Sequence, residues 1–216
     1  MTNSQARPAE TQRATPPLRA RSGGVAGNAR LTALTGAALL VLLIAEFFTI
    51  QQLRHLLYWH YFIGYLMIGP VLLKIGSTVY RFCRYYLRDE PYRRKGAPQP
   101  LLRIIGPVIV LCGLVVLGSG VVLGLDEQPR NLLGVSMLFL HKAGFVVWGA
   151  LLLVHLAFHL PRLPRLLAAD WRTGRSGRAA AVVGGRGRRF TLFLLALGAG
   201  LVIALSQSHL SALWHR

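Results

Sequence analysis

Cysteine and acid are scarce in this 216-residue chain, which has two of the first and seven Asp plus Glu. Cys83 and Cys112 form no CxxC or CxxCH pair, which excludes a zinc knuckle and covalent c-type haem attachment. One lies at the edge of an apolar segment and the other well inside a different one. A disulfide, which needs close Cα atoms, is therefore not expected between them. Charged residues make up only 15% of the chain. Phosphate loops, nucleotide fingerprints and nucleophile elbows are all missing, so the common soluble active-site motifs are excluded.

What fills the chain instead is apolar residue, 53% of the total, with a mean hydropathy of +0.46. Five runs, at 31–50, 59–80, 102–125, 137–160 and 190–206, approach the ~20 apolar residues that a bilayer span needs. The first is longer than a signal-peptide core and lacks a small-residue cleavage site before the next polar turn. It reads as an uncleaved span. The expected fold class is all-α, an integral membrane helical bundle.

The organisation follows from composition. Residues 1–29 hold almost no large apolar side chain and read as a disordered basic tail. Residues 30–162 form a four-helix transmembrane core. Residues 163–189, with five glycines among arginines from Gly174 to Gly187, read as a flexible basic linker that tethers a fifth helix (190–206) loosely. Residues 207–216 form an outer tail.

The formal net charge of +18 would suggest nucleic acid in a soluble chain, but its distribution argues otherwise. Five of the 25 Lys and Arg lie in residues 1–30, seven in 81–103 and eight in 162–189. With five alternating spans these segments share one side, the cytoplasmic one by the positive-inside rule. The expectation is a multi-pass protein of the cell inner (plasma) membrane with its amino terminus inside and its carboxyl terminus outside. The basic segments face anionic lipid headgroups, and nucleic acid is not an expected partner.

Aromatic belts set depth. Tyr80, Phe82, Tyr85 and Tyr86 mark the inner interface, and Tyr58, Trp59 and Tyr61 the outer one, which places His60 just inside it. Trp148 sits mid-span, against a neighbour or a ligand. Glycines in spans two, three and four permit close helix packing and equally the clearance for a flat ligand. Pro70, after Gly69, is expected to kink span two.

The chemistry lies in two helices that each carry ionisable residues fourteen apart: His60 with Lys74, and His141 with His155. Fourteen residues return to one helical face ~21 Å along the axis. Ionisable groups at such depth are costly and read as functional. Taken singly, His60 and His141 are interfacial rings; taken together at one level, they are a candidate pair of haem iron ligands. His155 lies deep in an apolar helix and is a third candidate. His159 follows on the same face, to hydrogen-bond a haem propionate or to meet the interface; zinc on this i,i+4 pair lacks a third ligand. Lys74 stands where symmetry would place a second inner histidine. It can ligate iron, snorkel towards the inner interface, or pair with a propionate or quinone oxygen, and the last two readings are preferred. Glu46, level with His60, can pair with Arg54, accept an imidazole N–H or relay a quinol proton, with the Arg54 pair preferred. His55, His209 and His215 receive no role.

The segments HYFIGYLMIGPVLLK (60–74) and LHKAGFVVWGALLLVHLAFHL (140–160) resemble the haem-binding helices of bacterial b-type membrane cytochromes, the broad cytochrome b-561 and hydrogenase/formate dehydrogenase cytochrome b superfamily. The resemblance covers residues 31–160. It implies a four-helix haem-binding core, with the fifth helix outside it, and His60, His141 and His155 at ligand-like positions. Lys74 departs from the pattern of a two-haem member. The function so implied is a membrane cytochrome that carries electrons through non-covalent haem b, with one haem at the His60/His141 level and the inner level open to a second. The partners are a quinone pool and a redox subunit, and the chain is a candidate electron-transfer subunit of a membrane oxidoreductase. The competing class is a haem-free membrane scaffold or assembly protein.

Overall fold

A computed structural model describes residues 24–96, 100–125, 131–132, 134–172 and 185–207. In chain order the helices are α1 (Gly24–Gln51), α2 (Leu53–Tyr86), a short α3 (Glu90–Arg94), α4 (Pro100–Leu125), α5 (Met137–His159), α6 (Leu163–Arg172) after a 3-10 turn, and α7 (Arg186–Gln207). Between α4 and α5 a two-residue antiparallel ladder pairs Asn131 with Ser136 and Leu132 with Val135. The fold is all-α, and five helices (α1, α2, α4, α5 with its continuation to Ala168, and α7) are long and apolar enough to cross a membrane.

The interior is built as a lipid-embedded bundle requires. Buried positions include Thr35, Thr49, Ser77 and Ser119, whereas Val41, Ile44, Phe48, Leu72, Val146 and Leu153 face outward. Lipid gives apolar side chains no reason to turn inward, so small and hydrogen-bonding residues fill the helix contacts. Each such hydroxyl finds a local acceptor: Thr35 Oγ1 donates to the Leu31 carbonyl at 2.9 Å and Ser119 Oγ to that of Val115 at 2.6 Å.

Several helix ends depart from the expected plan. Residues 24–29 continue α1 rather than belonging to a disordered tail. Gly27 is buried there, and Asn28 Nδ2 donates to the Ser77 carbonyl of α2 at 3.0 Å. Residues 1–23 lie outside the described residues. The linker expected over 163–189 begins as helix α6, whose Leu163, Leu166 and Leu167 are half-buried and which packs on α1. Leucines at three- and four-residue spacing give this segment an apolar stripe that the neighbouring arginines conceal in its average composition. Its glycine-rich middle, 173–184, and the tail after Gln207 lie outside the described residues.

The fifth span is not loosely attached. α7 crosses α2 closely at Gly69 and Gly200: a Cβ on Gly69 would overlap the Ala196 carbonyl oxygen, and one on Gly200 would overlap that of Leu66. Pro70 explains the register. It has no N–H to give the carbonyl four residues earlier, which is Leu66, and the Gly200 backbone lies against that freed oxygen. A neighbouring helix thus covers the polar group that proline exposes, as burial in a membrane demands. α2 runs through the fully buried Pro70 as helix; its one non-helical residue is Leu56 (φ −113°, ψ 18°), near its start.

α1 and α2 form one antiparallel pair and α4 and α5 another. In the second, Gly113 lies under the Trp148 indole and Gly144 against Val116. The two pairs meet where Gly124 of α4 accepts the Tyr61 and Tyr65 rings of α2. At the basic end, Arg84 pairs with Asp89 and sits 5.9 Å from the ring centres of Tyr80 and Tyr92, which orders α3 beneath α2.

Candidate functional site

The antiparallel pairing of α1 with α2 brings Glu46 beside His60, and that of α4 with α5 brings Val116 and Ser119 beside His141. Across the gap between the pairs, the His60 and His141 rings face one another with centroids 6.2 Å apart and planes at 90°. The two histidines that lie 81 positions apart in the chain therefore form one level.

Each ring is held through its Nδ1. His60 Nδ1 lies 2.8 Å from Glu46 Oε1 and 3.2 Å from Thr49 Oγ1. His141 Nδ1 lies 2.9 Å from the Val116 carbonyl oxygen and 3.2 Å from Ser119 Oγ. A carboxylate and a carbonyl only accept, so Nδ1 carries the hydrogen in both rings. The Nε2 lone pair of each is thereby left to bind another group, the arrangement metal-ligating histidines adopt. Gly120 makes room for this pose, since a Cβ there would come within 3.0 Å of His141 Cε1.

Thr49 and Ser119 belong to the level though neither carried a sequence signal of its own. Thr49 stands three residues after Glu46, and its hydroxyl donates to the Glu46 carbonyl at 2.6 Å. That spacing puts it on the same helical face as Glu46. Tyr65 is 4% exposed, stacks on Tyr61 at 6.2 Å, and buries a hydroxyl with no hydrogen-bond partner among the described residues. Glu46 is engaged by His60 rather than by Arg54, which is exposed at the start of α2.

The inner level is not built alike. His155 and His159 stack on one another, centroids 4.2 Å apart and planes at 13°, and His159 Nδ1 donates to the His155 carbonyl at 3.0 Å. His155 Nδ1 is buried with no hydrogen-bond partner among the described residues. Lys74 turns to α1: its Nζ donates to the Thr32 carbonyl at 2.7 Å, over Gly36, where a Cβ would come within 2.7 Å of the amine. Thr32 Oγ1 in turn lies 3.0 Å from Ser77 Oγ. The amine is engaged by a backbone oxygen of α1, and among the described residues the stacked pair on α5 has no imidazole opposite it.

Among the described residues, no three His, Cys, Asp or Glu side chains cluster to hold a bare metal ion. The paired histidines supply two donors only. They suit a metal whose remaining positions come from its own ligand. In comparisons with protein families, with curated proteins and with solved structures, the chain matches none.

Proposed function

We propose that this chain is a membrane b-type cytochrome that holds one haem b non-covalently between His60 and His141. The observation that carries the reading is the 6.2 Å separation of two rings whose Nδ1 atoms are both engaged. Two imidazoles on opposite sides of one metal have ring centres roughly 6 Å apart, given bonds of about 2 Å and ring radii of about 1 Å. Four further iron positions belong to the macrocycle, so a two-residue donor set is sufficient. A haem held by His60 and His141 would supply a one-electron couple.

The residues of this chain do the rest. Glu46 and the Val116 carbonyl fix the tautomers, Gly120 gives the His141 ring its room and Gly124 that of the Tyr61 and Tyr65 rings, and the apolar exterior of α4 and α5 excludes water. The basic end is assigned to the cytoplasm and the His60 end to the opposite face of the plasma membrane, in keeping with the positive-inside rule. In this reading, with a single level near one surface, donor and acceptor meet the protein at that surface, a quinol from the lipid side and a redox protein from the aqueous side.

The test is spectroscopic. Protein purified from haem-replete cells is expected to be coloured, to sharpen its α and β bands with dithionite, and to hold one haem per chain. His60→Ala and His141→Ala should each abolish that content, whereas His155→Ala should leave it at one. Colourless wild-type protein overturns the cytochrome reading and returns the chain to the scaffold class.

A further inference from the structure

The two histidines of the site are held by unequal partners. His141 gives its Nδ1 hydrogen to a backbone carbonyl, a neutral dipole. His60 gives its hydrogen to a carboxylate at 2.8 Å, and that carboxylate is itself withdrawn from water, Glu46 being 9% exposed. Its polar contacts among the described residues are His60 and Thr49, whose hydroxyl lies 3.3 Å from Oε2. Arg54 faces outward and Lys74 is engaged at Thr32, so neither basic side chain shares the carboxylate. Carboxyl groups inside spans are rare because they are expensive; this one is placed where a single imidazole N–H takes up its charge.

A hydrogen bond to an ionised acceptor is roughly twice as strong as one between neutral groups. It moves the shared hydrogen towards oxygen and loads electron density onto the far nitrogen, which raises the basicity of that nitrogen as a ligand. From this asymmetry we propose that Glu46 is a positioning residue that acts through His60: it fixes the tautomer, and its charge makes His60 the stronger electron donor of the two ligands. The inference rests on the haem reading above. A more electron-rich ligand and a buried negative charge both favour the oxidised metal, so Glu46 lowers the midpoint potential of the site.

Charge and hydrogen bond can be separated. Glu46→Gln keeps an acceptor oxygen for Nδ1 and removes the charge; Glu46→Leu removes both. Redox titration of the purified full chain, with haem-to-protein ratio and low-spin iron resonance measured alongside, tells them apart. Glu46→Gln is expected to keep a full complement of haem and to favour reduction at least tenfold, which is 59 mV or more for one electron. Glu46→Leu is expected to lose haem, because His60 is then free to rotate or to change tautomer. A Glu46→Gln midpoint within twofold of wild type in the reduction equilibrium overturns the proposal, and so does full haem retention by Glu46→Leu. If Glu46→Gln yields no folded protein, Glu46→Asp carries the test. It keeps the charge but draws it back from the ring, and its midpoint must lie above that of wild type. Colourless wild-type protein is the separate failure, that of the haem reading itself.

Discussion

The crossing of α2 and α7 at Gly69 gives a sharp contrast between two glycines of one helix. A Cβ at Gly69 would overlap the Ala196 carbonyl oxygen and come within 3.0 Å of the Gly200 nitrogen, all backbone atoms. Backbone cannot rotate aside as a side chain does, so Gly69→Ala must part the helices. Overpacking of this kind costs about 1–3 kcal/mol, and the rigid neighbours place it near the upper end, ~3 kcal/mol. At Gly76, seven residues on, nothing lies within 4 Å of the added atom. There Gly76→Ala should only restrict the unfolded backbone, a gain of roughly 0.5–1 kcal/mol. At about 2–4 °C per kcal/mol for a chain of this size, the first variant should unfold ~6–12 °C below wild type and the second slightly above it. Thermal unfolding followed by intrinsic fluorescence in one detergent measures both. The double variant Gly69→Ala/Gly200→Ala should cost less than the two singles together, because the first already separates the helices. Equal melting of Gly69→Ala and Gly76→Ala would refute the close crossing.

Lys74→Met removes the amine that binds the Thr32 carbonyl, and should leave haem content and the visible spectrum unchanged; a loss of haem would show that the amine serves the ligand rather than α1. Cys83 is exposed at the basic end of α2. An impermeant maleimide should label it in inverted membrane vesicles and not in intact cells, and the opposite pattern would reverse the assigned orientation.

Much of the architecture is legible in the chain because the bilayer imposes a single length on every span. The run at 102–125 and the helix Pro100–Leu125 differ by only two residues. Alternation of spans likewise puts His60 and His141 at one level with no further information. What the pattern does not give is the rotation of each helix about its axis. Arg54 is the nearest cation to Glu46 in sequence, but antiparallel packing places His60 opposite Glu46, fourteen residues away. Lys74 follows the same rule in reverse: it shares a helical face with His60 by spacing, and the notch at Gly36 draws its amine to α1. The place of α7 was hidden too, because helix contacts in lipid depend on small residues whose sequence signal is common to every span.

The meeting of Gly69 with Gly200 also has a consequence for the order of synthesis. Ribosomes add roughly 5–20 residues per second, so Gly200 is made ~7–26 s after Gly69. Throughout that interval the nascent chain holds α2 in the membrane with the Leu66 carbonyl uncovered by its eventual partner. The Gly69–Gly200 crossing therefore closes only after α7 has been made, and a chain truncated before α7 would leave the Leu66 carbonyl without its helical neighbour.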